Sequence, residues 1–566
     1  MEVKGLGLFE IRAYQNAVSA IDNLTMSVYD LWENNRLGEI PGVGAGLSQH
    51  LDELFTTGHC KKFDSLKQDL PQGMFKLIGI RGIGAKKAMK LSTAFKLTDR
   101  NTAIEKLKLA AEEHKIRVLE SFGEKSEQDI LNSISELKMT KNDKKRLFLY
   151  QAEEIAQRIK DHMNELGDVV EKIDALGSLR RRSGTVGDID IAVATKDSPK
   201  VIDHFCKFPE IAEFLVKGDK KVSVNLKNDI QVDLRTSIPE AYGSMVQYFT
   251  GSKQHNVVLR TYSLGLGMSL SEYGIKEKNV TKEFATEEGF YEHLHLQCIP
   301  PEIRHGKDEV DLAKNRKIPE LVRLEDIQGD LHTHTTDSDG VDSFEEMIAK
   351  AITMGYKYYG ISDHAPSVQS RGHEEVKKLI WHKRDILDQF NKSQNNIRVF
   401  FGYEVNILAD ETLALPDEFL KELDYCVASI HTSFDQSRDK ITARLITALE
   451  NPYVTILGHP SGRLLNERAG CNVDWRKVFI AARDNNKIIE INSQPNRLDL
   501  ADDLIKEALD YGVKLIINTD SHAIAQLNNM KYGIDVARRG WATKENIVNT
   551  LPLEEFKKHI LQKHGF

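Results

Sequence analysis

The sequence predicts a multidomain chain: helical domains with glycine hairpins first, an α+β centre next, and a seven-stranded α/β barrel last. Three observations predict it. Two turns of the form apolar-x-G-x-G, at Gly42/Gly44 and Gly82/Gly84, each run into a helical pattern. Two aspartates, Asp188 and Asp190, open an apolar run that reads as a strand, and a hairpin pattern with a third aspartate follows. From residue 329 onward, short apolar runs alternate with helical segments, and most end in a histidine or a carboxylate.

Length and composition set the bounds. A chain of 566 residues is expected to hold several domains, because single cores stop growing near ~250–300 residues. Hydrophobic residues at 40% and charged residues at 29% are those of an ordinary soluble protein. No apolar run is long enough to span a bilayer and the start lacks a signal-peptide pattern, so no membrane partner and a cytoplasmic location are expected. Cys60, Cys206, Cys298, Cys426 and Cys471 form no C-x-x-C pair and read as reduced thiols. A net charge of −8 does not mark a nucleic-acid binder, so any such surface must be local.

Residues 1–97 read as helical. In Ile40-Pro41-Gly42-Val43-Gly44 and Ile80-Arg81-Gly82-Ile83-Gly84 the glycines allow tight turns, and the helix that follows offers free N–H groups to a phosphate oxygen. One such turn alone reads as an ordinary helix–helix connection. Two, with Arg81, Lys86, Lys87 and Lys90 around the second, favour a grip on DNA backbone through Gly42, Gly44, Gly82 and Gly84. Residues 98–167 continue helical and charged, with stripes at Leu131, Ile134, Leu137 and at Leu147, Tyr150, Ile155, Ile159. Lys138, Lys141, Lys144, Lys145 and Arg146 form a basic patch that reads equally as a solvated face or a DNA-facing one.

Residues 168–245 carry the chemistry. In a strand, Asp188 and Asp190 point to one face and could share a divalent cation. Upstream, Gly177-Ser178 opens a short turn before Arg180, Arg181 and Arg182, where backbone N–H groups and guanidinium forks could hold a phosphate. The plain alternative is a surface strand with two solvated aspartates. The hairpin Val222–Leu226 and Ile230–Leu234 places Asp233 between apolar neighbours, where a carboxylate wants a cation. If its strand lies beside the first, three acids converge and can hold two Mg²⁺ ions. Residues 246–310 begin with Tyr248-Phe249-Thr250-Gly251-Ser252, then Asn256 and Arg260; alone, this is a helix end capped by glycine.

GS-x-RR…GDID, VDLR and YFTGS…N…R, with the two hairpins, resemble a family X DNA polymerase over residues 1 to about 310. The resemblance implies an N-terminal lyase-like domain (1–97), a fingers-like duplex-binding domain (98–167), a nucleotidyltransferase palm (168–245) and a thumb (246–310). It implies Asp188, Asp190 and Asp233 as catalytic acids binding Mg²⁺ or Mn²⁺, with Asp233 taking the primer-hydroxyl proton. Gly177, Ser178 and Arg181 would contact the triphosphate; Tyr248, Phe249, Gly251, Asn256 and Arg260 would line the nascent base pair. One departure matters. Where lyase-active members carry a Schiff-base lysine this chain has His50, with Gly46 at another usual lysine position, and an imidazole forms no imine. Arg12 and Tyr14 resemble part of the gap-binding surface, without the basic residues that precede that tyrosine in lyase-active members.

After a charged linker, 311–328, the barrel occupies 329–566. His332 and His334 share a strand face and Asp339 follows. Further apolar runs end near His364, Glu404, His431, His459, and Asp520 with His522. One histidine after a strand is usually structural; this set is not plausible as chance. The pattern resembles a PHP domain, which implies three divalent metals: His332, His334, Glu404 and Asp520 at the first, Glu404 (bridging), His431 and His459 at the second, Asp339, His364 and His522 at the third. The mixed ligands suit Mn²⁺, Fe²⁺ or Zn²⁺. Arg463 and Arg497, just beyond strand ends, could hold a phosphodiester. Together the resemblances imply a gap-filling polymerase of base excision repair with a PHP 3′–5′ exonuclease, and similar proteins can also incise at abasic sites. It would act as a monomer on gapped or nicked DNA with deoxynucleoside triphosphates. Two other classes stay open: a nuclease whose polymerase-like half is a DNA clamp, and a small-molecule phosphatase.

Overall fold

Glycines set the helix ends of the N-terminal part of the chain. The computed structural model describes residues 2–22, 28, 32, 36–40, 42–78, 83–99, 102–120, 122–124, 126–128, 130–131, 146–278 and 280–561. The chain divides into two units, Met1–Lys144 and Lys145–Phe566. In the first, helices α1 (Leu8–Asp22), α2 (Ala45–Thr57) and α3 (Ala85–Ala94) bear on the hairpins. α2 starts at Gly44 and α3 at Gly84, with nearly the same extended backbone (φ −78°, ψ 175° and φ −78°, ψ 172°). The apolar residue between each glycine pair is buried: Val43 packs with Leu37 and Ile40, and Ile83 with Met74, Leu77 and Leu91. Gly82, Ile134, Leu137 and the lysines 138, 141, 144 and 145 lie outside the described residues.

The second unit opens with α4 (Leu149–Asn164), which buries Leu149, Ile155, Ile159 and Met163. A five-stranded sheet follows, built from β1 (Lys172–Ala175), β2 (Asp188–Ala194), β3 (Ile211–Lys217), β4 (Lys221–Leu226) and β5 (Gln231–Ser237) in the order β1-β2-β5-β4-β3. Only β2 and β5 run parallel, with Asp190 directly opposite Asp233. Gly177–Arg180, expected as a turn, is a single helical turn, α5. Gly177 at φ +58° lets the chain reverse from the extended Leu176 into it. Helices α6 (Tyr242–Thr250) and α7 (Lys253–Gly265) carry the YFTGS stretch across their junction. The residues read as a linker, 311–328, are packed: Ile318, Leu321 and Val322 are buried, and the Val322 N–H donates to the Ala542 carbonyl.

The barrel has seven parallel strands in sequence order: β6 (Gly329–Asp330), β7 (Tyr358–Ile361), β8 (Arg398–Asn406), β9 (Tyr425–Ser429), β10 (Ile456–Leu457), β11 (Ile488–Asn492) and β12 (Lys514–Asn518). A bridge from Thr333 to Ser521 brings the last strand's end beside the first's. Alternation sorts the side chains. Tyr358, Phe400, Tyr425, Ile456, Ile488 and Ile516 fill the interior, while Tyr359, Phe401, Cys426, Leu457, Ile489 and Ile517 pack outward. Tyr425 plugs the interior and its hydroxyl donates to the Leu331 carbonyl at 2.7 Å. Gly360 and Gly402 leave room for that ring; a Cβ on Gly402 would lie 2.5 Å from the phenol carbon. Gly402→Ala is therefore expected to destabilise the barrel by about 1–3 kcal/mol, read as a lower denaturant midpoint. An unchanged midpoint would mean that the ring moves freely.

Candidate metal centres

The first centre stands on the β2–β5 pair. Asp188, Asp190 and Asp233 share one sheet face because their strands are parallel and in register. Gly177 abuts it: a Cβ there would come within 2.6 Å of an Asp190 carboxylate oxygen. Asp190 has its carboxyl pushed up to about 6, first by burial and then by the charges of Asp188 and Asp233. Asp233 behaves oppositely. Burial opposes its charge, but Lys221 (2.8 Å), Gln231 (3.0 Å) and Ser223 hold it below the usual carboxylate range, and Arg235 lies 3.1 Å away. Three converging acids, one of them short of a counter-charge, fit a divalent cation.

The three arginines at the end of α5 and just beyond it separate. Arg180 donates to the Thr250 hydroxyl (2.7 Å) and to Glu287 (2.5 Å). Arg182 pairs with Glu153 and Asp535. Arg181 remains toward the acids and donates to the Thr250 carbonyl, beside Gly251. Ser178 is partly buried on the same helical turn, α5. Around the α6–α7 junction, Arg260 donates to the Tyr248 hydroxyl at 2.9 Å and Asn256 to the Tyr248 carbonyl at 2.8 Å. The Phe249 ring lies 4.1 Å from the Arg235 guanidinium carbon. Those contacts bring the two sequence motifs to the edge of the acidic face.

The second centre sits at the strand ends of the barrel, around Glu404. Its two oxygens lie 2.8 Å from His459 Nε2, 3.2 Å from His431 Nε2, 3.4 Å from His332 Nε2 and 3.2 Å from His364 Nδ1. Asp520 lies 3.3 Å from His334 Nε2 and 3.6 Å from His332 Nε2. Asp339 lies 3.3 Å from both His364 Nε2 and His522 Nε2. All nine expected residues thus converge. Four overlapping groups among them have donor atoms within 4.8 Å of one another: His334, Asp339, His364, His522; His332, His334, Glu404; His332, His459, Asp520; and Glu404, His431, His459. His332 Nε2 and both ring nitrogens of His334 are buried without a hydrogen-bond partner, the state expected of ligand atoms facing a cation. Burial opposes the charges of Glu404 and Asp520, yet the surrounding imidazoles hold both well below the usual carboxylate range. The donor set fits divalent metals.

Sequence reasoning missed the residues that aim these ligands. Glu490 accepts from His332 Nδ1 at 2.7 Å and from the His459 backbone N–H at 2.7 Å. Asn406 bonds His431 Nδ1, and the Asp520 carbonyl accepts from His522 Nδ1 at 2.9 Å. Glu490 carried a readable signal: a carboxylate between isoleucines in a buried strand, as with Asp233. Of the two arginines, Arg497 lies 3.8 Å from Asp520, whereas Arg463 is tied to the carbonyls of Arg497 and Leu498. A separate group, His162, Glu165 and His204, lies outside both centres, and each ring's Nε2 bonds the other residue's backbone carbonyl.

In the N-terminal unit, nothing lies within 4 Å of a Cβ placed on Gly44, Gly46 or Gly84, so this backbone is open to approach. Gly42 holds φ +79°. His50 bonds the Tyr14 hydroxyl at 3.0 Å, and Lys62 Nζ lies 5.3 Å over the Tyr14 ring.

Residues 245–305 match the family described as DNA polymerase beta thumb, and residues 330–494 match the PHP domain. Over 99% of its length the chain is 36% identical to the DNA polymerase/3'-5' exonuclease PolX of Bacillus subtilis (strain 168), covering 96% of that protein. It is also 28% identical to a probable phosphatase of Thermoanaerobacter sp. (strain X514), over 41% of this chain and 94% of the relative. A probable phosphatase of Caldanaerobacter subterraneus subsp. tengcongensis is 27% identical over 41% of this chain and 91% of its own.

Two outcomes follow from the geometry. Glu490→Gln weakens the hold on His332 without removing a ligand, so metal retention by the barrel is expected to fall about 10–100-fold, read by chelator competition. Retention equal to that of the unchanged protein would make Glu490 a bystander. Asp190 has a folded value above that of an unfolded carboxyl, so it favours folding below about pH 4 and this contribution disappears as pH rises through about 6. In metal-free protein, Asp190→Asn should remove a fall in stability across that window on the order of 2 kcal/mol. The check is the melting temperature against pH, which should flatten in the variant.

Proposed function

The chain belongs to the bacterial family X DNA polymerases that carry a PHP domain, and from that premise we propose a gap-filling repair enzyme with two centres. It is a DNA-directed DNA polymerase with a metal-dependent 3′–5′ exonuclease; its substrates are DNA and deoxynucleoside triphosphates. The observation that supports the reading best is Asp190 set opposite Asp233 in parallel strands, with Gly177 against the carboxylate.

On this reading the four parts, 1–97, 98–167, 168–245 and 246–310, act as lyase-like, fingers-like, palm and thumb domains ahead of the barrel. Asp188, Asp190 and Asp233 hold Mg²⁺ or Mn²⁺. Gly177, Ser178 and Arg181 receive the triphosphate, and Tyr248, Phe249, Gly251, Asn256 and Arg260 line the new base pair. Gly42, Gly44, Gly82 and Gly84 bring backbone N–H groups to DNA phosphates. Asp233, kept ionised by Lys221 and Arg235, accepts the proton of the primer hydroxyl. The nine barrel ligands hold three ions of Mn²⁺, Zn²⁺ or Fe²⁺. When bound, divalent cations at the two centres polarise phosphate oxygens and lower the pKa of the attacking hydroxyl or water. Arg497, beside Asp520, is placed to steady a phosphodiester. His50 in place of a primary amine leaves no imine chemistry on α2. The protein acts as a monomer in the cytoplasm on gapped or nicked DNA; no described helix is long and apolar enough to cross a membrane.

A second reading concerns the hydrolytic centre. The probable phosphatases matched over 41% of the chain favour a phosphomonoester, such as a 3′-phosphate, as a further substrate. A gapped duplex with a labelled primer and a downstream 5′-phosphate, incubated with Mg²⁺ or Mn²⁺, tests the whole assignment. Extension with nucleotides and shortening without them are expected. Asp190→Asn should abolish extension and spare shortening; His334→Ala should do the reverse. Asp233→Asn should slow extension roughly 10²–10⁴-fold. Loss of both activities from either of the first two changes, with the fold intact, would sink the two-centre reading. Shortening alone under all conditions would make the polymerase half a clamp, and release of phosphate from a 3′-phosphorylated primer without shortening would favour the phosphatase.

A further inference from the structure

A helix that follows the last barrel strand, α8 (Met530–Arg539), meets the turn that carries Arg181. Two ties join them. Arg182, at φ +57°, extends its guanidinium between Glu153 of α4 (2.5 Å) and Asp535 of α8 (2.6 Å). Arg539 donates from one terminal nitrogen to the Arg181 carbonyl at 2.8 Å, while the other is held by Asp502 at 2.5 Å. The Arg539 carbonyl is itself fixed by His305 at 3.2 Å. Behind the turn lies a cavity of about 180 Å³, lined by Ser183, Gly184 and Thr185 on one side and Arg463, Leu498 and Arg539 on the other. The turn is located by these polar ties together with Leu179, which is buried in the core.

The charge pattern gives the ties a purpose. Arg181 has no carboxylate within ion-pair distance among the described residues, and there its guanidinium donates to the Thr250 carbonyl. Its pKa is pulled down to about 10, first by burial and then by the neighbouring charges of Arg539 and Arg304. A half-buried guanidinium without an ion pair of its own, near Arg539 and Arg304, is placed to take an anion. A nucleoside triphosphate supplies one, and a phosphate on Arg181 would feel Arg539 through the same field.

We propose that Arg539, although it belongs to the barrel, is a positioning residue of the polymerase centre: it holds the Arg181 carbonyl in place and adds its charge behind the turn, raising affinity for the incoming nucleotide's triphosphate. The inference rests on the polymerase reading above. It makes the barrel part of the nucleotide site, so that the hydrolytic domain's docking sets how tightly the synthetic one binds nucleotide.

The test uses the full-length protein in single-nucleotide extension on the gapped duplex, with shortening and thermal unfolding measured in parallel. R539M keeps the aliphatic stem and removes the donor and the charge. It should raise KM for the nucleotide about tenfold with kcat within about twofold, and leave shortening unchanged. R539K, which retains the charge with a single point donor, should recover part of that affinity. An unchanged KM in folded R539M overturns the proposal. So does a parallel fall in extension and shortening with a lowered unfolding temperature, which would make Arg539 a structural tie only. If R539M does not fold, R539K decides, and a KM equal to that of the unchanged protein overturns it. Failure of the unchanged protein to extend the primer refutes the polymerase reading itself, a result distinguishable from every variant outcome.

Discussion

Carboxylates brought close together are the constraint on which both centres depend. Of the three carboxylates on one sheet face, Asp190 is driven toward its protonated form, first by burial and then by the charges of Asp188 and Asp233. The barrel meets the same difficulty with imidazoles: Glu404 stays ionised because His431, His332 and His364 crowd around it. Neither arrangement would persist as a mere packing solution, since burying uncompensated carboxylates costs far more than apolar residues of equal size. The rest of the second unit exists to hold these groups in place against that cost. Parallel strands fix the register of Asp190 and Asp233. Inward alternation above Phe400 and Gly402 carries Glu404 to the barrel mouth.

Close approach is the companion requirement, and glycine meets it at a few positions. Gly177 does two jobs at once: it takes a left-handed backbone so that α5 can start, and it leaves the space that an Asp190 oxygen occupies. Gly402 serves the barrel differently, by making room for the Tyr425 ring that closes the interior below the metal-ligand shell. The first glycine shapes chemistry and the second shapes packing, yet both are demanded by contact distance rather than by flexibility.

The two centres share one unit and a common set of polar contacts. Arg182, which sequence alone would assign to phosphate with its two neighbours, instead joins α4 to α8. Asn466 of the barrel donates to the Arg146 carbonyl at 3.0 Å, and Arg538 pairs with Glu302 at 2.8 Å. Residues 311–328 are threaded through this contact rather than left free, with Val322 bonded to the Ala542 carbonyl. Apolar packing accompanies these ties, with Trp541 of the barrel in one core cluster with Ile303, Ile318 and Leu321, and the ion pairs add directional constraint.

The amino-acid sequence by itself determined the class of fold and most of the chemical groups. Period-two alternation placed Asp188 with Asp190, because side chains two apart in a strand share a face whatever surrounds it; His332 and His334 lie just past β6, flanking the bridge from Thr333 to Ser521. Strand–helix alternation announced a barrel with its polar groups at the strand ends, since only that end of a parallel barrel collects successive loops. The tertiary structure alone decided what depends on contacts between distant residues. It separated Arg181 from Arg180 and Arg182, because their partners Thr250, Glu287 and Asp535 lie far along the chain. It brought Glu490 to His332, a pairing across 158 positions that no local pattern encodes. It also set Arg539 against the Arg181 carbonyl. Local sequence carries backbone preference and periodicity, whereas the partner of a charge is chosen by the packing of whole domains.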